Sequence, residues 1–236
     1  MDFKRILLGV IVVIILYLVY IYVFKDGTSS TLYSGGNAKN GVTIKATKLP
    51  GNKASVDFTF SIWVYVNSWQ YRYGYQKVIY RRVNQAQTTV SPEVSLGAAT
   101  NDLSITMSIF DSNKGGIVPG KSWTVNNIPI QKWCNIVIST NNRAVDTYID
   151  GKLVNTHVLA GVPAMNKNAP IQLTPDGGFS GETSKFRYIA RTISPREAYE
   201  IYREGPGGNW LSDLLNQYKL KFSFLKDNEE INSFEI

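Results

Sequence analysis

Residues 57–66 alternate. Phe58, Phe60, Ile62, Val64 and Val66 share one side of the chain, and Thr59, Ser61, Trp63 and Tyr65 share the other. A period of two places alternate side chains on opposite faces of a strand. Leu103, Ile105, Met107 and Ile109 alternate in the same way with Ser104, Thr106 and Ser108, and residues 133–139 form a short apolar run. Segments 144–149 and 152–158 flank Asp150-Gly151, a pair that favours the tight turn of a β-hairpin. Further strands are predicted over 77–82, 93–98, 171–173 and 185–190. Ser194-Pro195-Arg196-Glu197 reads as a capping box with proline at the first helical position, opening a helix over 197–203 that Gly205-Pro206-Gly207-Gly208 ends. Trp210, Leu211, Leu214, Leu215 and Tyr218 have the spacing of a second short helix. Leu220, Phe222 and Phe224 then predict a last strand, with a turn near Asp227-Asn228. Many short strands, long Gly/Asn-rich turns and little helix predict an all-β antiparallel sandwich.

The amino end follows a different pattern. From Ile6 through Val13, Leu16 and Tyr20 to Phe24 run 19 residues without a charge. As a helix they would span roughly 28 Å, the thickness of a bilayer's hydrocarbon core. Lys4 and Arg5 flank one end, and Tyr17, Tyr20, Tyr22 and Phe24 crowd the other like an interfacial belt. A cleaved signal peptide would have a shorter apolar region ending in small residues, whereas this one ends Tyr22-Val23-Phe24-Lys25. The expected organisation is a transmembrane anchor over 1–25, a flexible polar tether over 26–41 and a sandwich over 42–205. A helix and strand extension over 206–236 would pack on the sandwich. The positive-inside rule puts the amino end on the cytoplasmic side and the domain on the other.

With 44% hydrophobic and 12% aromatic residues, the chain is too apolar for a disordered one. One cysteine excludes an intramolecular disulfide, and one cysteine with one histidine excludes a Cys/His zinc site. A net charge of +7 is mild attraction to anionic surfaces, not a nucleic-acid polycation. No asparagine begins an N-glycosylation sequon.

The string Gly115 to Gly120-Lys121-Ser122 satisfies a phosphate-loop pattern, but Trp123-Thr124-Val125 and Pro129 follow it where a helix is required. A Gly-rich connection between strands is the better reading. His157 lacks an evident serine partner and reads as a surface-strand residue, and Cys134 reads as buried and inert. No glutamate belongs to a Glu-x-Asp-x-Glu strand of the kind that would set two carboxylates across a glycosidic bond. The chain is therefore read as a non-enzyme. Residues 69–82 stand out, with five aromatics and four cations in fourteen positions. Trp69, Tyr71, Arg72, Tyr73, Tyr75, Lys77, Arg81 and Arg82 suit stacking, cation–π contact and hydrogen bonding to a protein partner or a glycan. The alternative is a Tyr-rich connection that covers the sandwich edge.

Trp133-Cys134-Asn135-Ile136-Val137-Ile138-Ser139 followed by Tyr148-Ile149-Asp150-Gly151 resembles the tryptophan strand and hairpin of laminin-G-like, concanavalin A-like jelly rolls. Gly177-Gly178-Phe179-Ser180-Gly181, then Phe186 to Ile193-Ser194-Pro195-Arg196-Glu197 and Gly205, is similar to that family's closing strand and helix. The resemblance implies the sandwich and allows a lectin, a hydrolase or an adhesion module. It implies no cofactor with a recognisable site; for calcium, Asp102, Asp111 or Asp176 would supply ligands. The anchor joined to such a domain also resembles membrane-anchored virion proteins of large nucleocytoplasmic DNA viruses. Two expectations follow. One is a structural protein seated in a lipid bilayer such as a virion membrane, docking on protein neighbours such as a capsid. The other is a carbohydrate-binding surface protein.

Overall fold

A computed structural model describes residues 27–51, 55–84, 89–111, 114–164 and 167–207, helical positions 9, 12, 13, 15–17 and 19, and the backbone of two strands within 221–235. Two antiparallel sheets face each other. The six-stranded sheet runs β1 (Ser29–Asn37), β13 (Ser180–Ile189), β3 (Thr59–Ser68), β8 (Trp133–Asn141), β9 (Ala144–Ile149), β10 (Lys152–Val158). The seven-stranded sheet runs β11 (Val162–Pro163), β6 (Leu103–Asp111), β5 (Val90–Leu96), β4 (Lys77–Val83), β12 (Ile171–Leu173), β2 (Val42–Ile44), and β7 (Gly116–Val125) also pairs with β6. Strands β14 (Lys221–Lys226) and β15 (Glu229–Glu235) pair only with each other. This is the all-β antiparallel sandwich that the alternation predicts.

The core lies between the two sheets. Phe58, Phe60, Ile62, Val64 and Val66 meet Ile79, Val94, Leu96, Ile105 and Leu173 there. Phe60 stacks on Phe186 at 5.8 Å and lies 5.0 to 5.3 Å from Tyr188 and Tyr80, which ties the sheets together through rings. Helix α1 (Pro195–Arg203) closes the far face of the six-stranded sheet. Its capping box is formed as predicted. Ala198 and Ile201 bury against Val137, Tyr148 and Ile189, and Tyr202 stacks on Trp63 at 5.6 Å. Strand β8 is thus buried on both faces, which is why its sequence is an apolar run and not an alternation.

Two expectations need correction. Residues 29–37, read as part of a flexible tether, form edge strand β1, in register with β13 from Ser29↔Ile189 to Asn37↔Glu182. Leu32 and Tyr33 pack on the core. The glycine there serves close approach: a Cβ on Gly35 would lie 2.9 Å from the Thr183 carbonyl oxygen. Likewise the Gly-rich string at 115–122 is strand β7 and not a connection; a Cβ on Gly120 would meet the Met107 carbonyl oxygen at 1.8 Å. His157 lies on edge strand β10 as the surface-strand reading expects, half-buried because it stacks on Trp123 at 4.2 Å.

Of the anchor residues, Val13 and Leu16 are helical and 65% and 62% exposed, while Ile6, Tyr20 and Phe24 lie outside the described residues. Among the described residues no helix is long and apolar enough to cross a membrane. The expected helix over 210–218, and the packing of 206–236 on the sandwich, fall largely outside the described residues as well.

Asp150 and Gly151 both have positive φ (50° and 74°), the requirement of the tight hairpin turn. A Cβ on Gly151 would also come within 3.0 Å of α1 at Tyr199 and Tyr202. Gly151→Ala is expected to lower unfolding free energy by at least about 1–2 kcal/mol, the cost of a side chain in the left-handed region, read from the denaturant midpoint.

Candidate functional site

Among the described residues no helix packs on the outer face of the seven-stranded sheet, and its outward positions are polar. In direct register across that face lie Thr43, Gln172, Arg81, Glu93, Thr106 and Ser122. Each is flanked in sequence by core residues such as Ile171, Leu173, Val94, Ile105 and Trp123, so the pleat turns it outward. At the usual strand spacing the row spans about 24 Å. Arg81 donates from Nε to Gln172 Oε1 at 2.6 Å, and Thr106 and Ser122 share a hydroxyl hydrogen bond at 2.7 Å.

Arg81 also lies between two carboxylates, with Nη2 3.3 Å from Asp176 and Nη1 4.0 Å from Glu93. Burial pushes Glu93 above the usual carboxylate range; Arg81 opposes the shift and the nearby charge of Asp176 adds to it.

The loop between β3 and β4 stands at one end of this face. An internal cation holds it. Lys77 is 1% exposed, donates to the carbonyl oxygens of Tyr75 (3.2 Å) and Ala98 (3.3 Å), and lies 4.5 Å over the Trp69 ring. Burial lowers its pKa, and the charge of Arg72 lowers it further. On this base Tyr73 and Tyr75 are 59% and 67% exposed. Arg72 lies 5.8 Å from the Tyr75 ring centre and against the turn Pro175–Gly177, where a Cβ on Gly177 would meet its Nη1 at 2.8 Å. Lys39 covers Tyr71 at 4.6 Å. Gln76 donates to Ser95 Oγ at 2.6 Å, joining the loop to β5. Arg72 has no carboxylate partner among the described residues.

A laminin G-type family model, described as the concanavalin A-like lectin/glucanases superfamily, matches residues 24–199. The chain belongs to that family. No curated protein matches it significantly in sequence. Among solved structures it is similar to the botulinum neurotoxin serotype D binding domain (TM-score 0.55, 14% identity, covering 75% of this chain and 44% of that one). It is also similar to the serotype D ligand binding domain in complex with N-acetylneuraminic acid (0.55, 15%, 75% and 43%). A third is the binding domain of botulinum neurotoxin DC in complex with rat synaptotagmin II (0.50, 16%, 70% and 40%). The chain thus spans about two fifths of the length of these structures, and the likeness concerns the fold.

In this lectin-like sandwich the residues singled out from sequence divide. Tyr73 and Tyr75 are exposed; Tyr71 and Arg72 are half-buried beside them. Trp69 is half-buried over Lys77, and Arg81 belongs to the polar row. Lys77 and Arg82 (2% exposed) are interior and are not surface contacts; Arg82 donates to the Ala169 carbonyl oxygen at 3.4 Å. Sequence reading missed Glu93 and Gln172, and named Asp176 for calcium only; the three come from separate segments. Only the polar alternation in β5, β6 and β12 hinted at a solvated face.

The aspartates considered for calcium do not converge. Asp102 and Asp111 bracket β6, roughly 30 Å apart at strand rise; Asp102 accepts from Asn127 N–H at 2.9 Å, and Asp176 pairs with Arg81. Among the described residues no group of three metal-ligating side chains gathers. Cys134 is buried, and its thiol is pushed up to about 12 by burial and then by Asp150.

Two outcomes are expected here. Because folding raises the Glu93 pKa, ionising it at neutral pH costs stability; the cost is absent below the unfolded value of about 4.3 and full above the folded one. Glu93→Gln should therefore raise the unfolding free energy at pH 7 and lose that gain as pH falls through 4, measured by denaturation at each pH. Lys77→Ala should cost about 1–3 kcal/mol by taking the ammonium donor from the Tyr75 and Ala98 carbonyls, and should speed hydrogen exchange at Gly74 N–H, the remaining donor to Ala98 O.

Proposed function

We propose that this protein is a non-catalytic carbohydrate-binding module, carried on a membrane-anchored chain, whose glycan lies along the outer face of the seven-stranded sheet. The observation that carries this is the pairing of two exposed rings, Tyr73 and Tyr75, with side chains already fixed in hydrogen-bonding geometry on the sheet beside them. Sugars are recognised by this combination. A ring face covers the apolar C–H side, while amides, hydroxyls, carboxylates and guanidinium groups take the sugar hydroxyls in bidentate fashion. Arg72, with its cation unmatched by a carboxylate, favours a glycan bearing an acidic group.

A toxin binding domain that shares the fold is known with N-acetylneuraminic acid, and another with a protein. The match covers about two fifths of those chains, so the argument rests on the face itself. The uncharged amino-terminal run supports the anchor. Its described members are helical with exposed apolar side chains such as Val13 and Leu16. The virion-scaffold expectation gains no support from the fold or these relatives.

Glu93 and Asp176 favour one second reading, glycoside hydrolysis, because one carboxyl is shifted upward beside another carboxylate. Arg81 between them argues for recognition, since it holds both carboxylates in ion pairs.

The test is a glycan array probed with the full chain and with the Tyr73→Ala/Tyr75→Ala variant. Retention of acidic glycans, unaffected by a calcium chelator and about tenfold weaker in the variant, is expected; each lost stacking contact accounts for about 0.5–1.5 kcal/mol. A null result across neutral and acidic glycans would overturn the proposal, and product release from a bound glycan would assign the site to hydrolysis.

A further inference from the structure

The two sheets are bridged at one edge by Trp123 of β7 and His157 of β10, stacked at 4.2 Å with 7° between their planes. Beside this stack a cleft of about 590 Å³ opens between β6–β7 and the end of β10. None of its lining residues belongs to the polar row, although Met107 and Lys121 adjoin Thr106 and Ser122 in the chain. Its lining is of two kinds. Met107 and Leu159 are buried, and with Ile109 they give it an apolar floor. Around that floor stand Lys114, Lys121, Arg143 and His157, against one carboxylate, Asp111. Arg143 is tied to the cleft by its Nε–H, which donates to the Leu159 carbonyl oxygen at 2.8 Å. Lys114 and Lys121 are exposed.

A sandwich edge normally closes by packing apolar side chains from the two sheets, as the rest of this interior does. Here the floor is left open and ringed by cations. The stems of basic side chains can lie along an apolar floor, but their charged heads find no partner in it, and a small anion gains nothing from it. Floor and charged heads are both served by one molecule with an apolar body and an acidic head. We infer that this cleft binds a single-chain anionic amphiphile, its apolar body on Met107, Ile109 and Leu159 and its carboxylate, sulfate or phosphate head among Lys114, Lys121 and Arg143. The volume is that of a small-molecule pocket and suits one chain, not a two-chain bilayer lipid. The site is independent of the glycan face.

The experiment is photolabelling of the full chain in zwitterionic nanodiscs with a diazirine analogue of decanoate, with labelled peptides mapped by mass spectrometry. Adducts are expected on peptides that contain residues 107–109 and 158–160, competed by decanoate but not by decanol or inorganic phosphate. Labelling should fall at least fivefold in the Lys114→Glu/Lys121→Glu variant at an unchanged melting midpoint. Label confined to residues 6–24 or spread evenly would overturn the inference. Competition by phosphate alone would reduce the cleft to a small-anion site, and competition by anionic lipid in the disc would move it to the bilayer surface. Either would equally overturn the inference.

Discussion

The arrangement depends on unequal burial of the two sheets. Both must bury one face in the common core, but α1 covers the second face of the six-stranded sheet through Ala198, Ile201 and Tyr202. That sheet is therefore structural through its thickness, with Thr59, Ser61, Asn135 and Ser139 buried in mutual or backbone hydrogen bonds. The seven-stranded sheet keeps a polar outer face. Function is available to it because its inner face alone contributes to the core, so its outer side chains are free to be chosen for chemistry.

Charge on that face is arranged at some cost to stability. Arg81 lies between two carboxylates, and Glu93 remains shifted upward by its burial even with that cation beside it. Lys77 is a buried ammonium satisfied by two carbonyls and an indole face rather than by a carboxylate. A loop could be fixed more simply with an apolar residue. The ammonium fixes the backbone at Tyr75 and Ala98 while leaving the tyrosines above it exposed.

The edge between β7 and β10 meets the same physics in another form. A sandwich has to end somewhere, and here the closing contact is one stacked aromatic pair, with cations around the apolar floor beside it. Lysine and arginine along open strands also discourage edge-to-edge association of sheets, so the ring of charge protects the fold whether or not a ligand is present.

Local sequence determined every feature whose cause is local. The Asp150-Gly151 turn, the Ser194–Glu197 capping box and the alternation of 57–66 and 103–109 each follow from backbone conformation or side-chain period. Each forms where it was expected, with strand ends displaced by a few residues. The motif at 133–151 likewise pointed to the correct family. Composition misled where glycine and serine have two uses: 26–41 and 115–122 read as linkers, but 29–37 and 116–122 lie in strands, where Gly35 and Gly120 let neighbouring backbones approach. Only the tertiary structure decided that Lys77 and Arg82 turn inward while Tyr73 and Tyr75 stay out. It alone set Gln172, Arg81 and Glu93 side by side across three strands. Cross-strand register is fixed by the pairing of segments far apart in the chain, 91 residues for Arg81 and Gln172, and no local pattern encodes which polar position will face which.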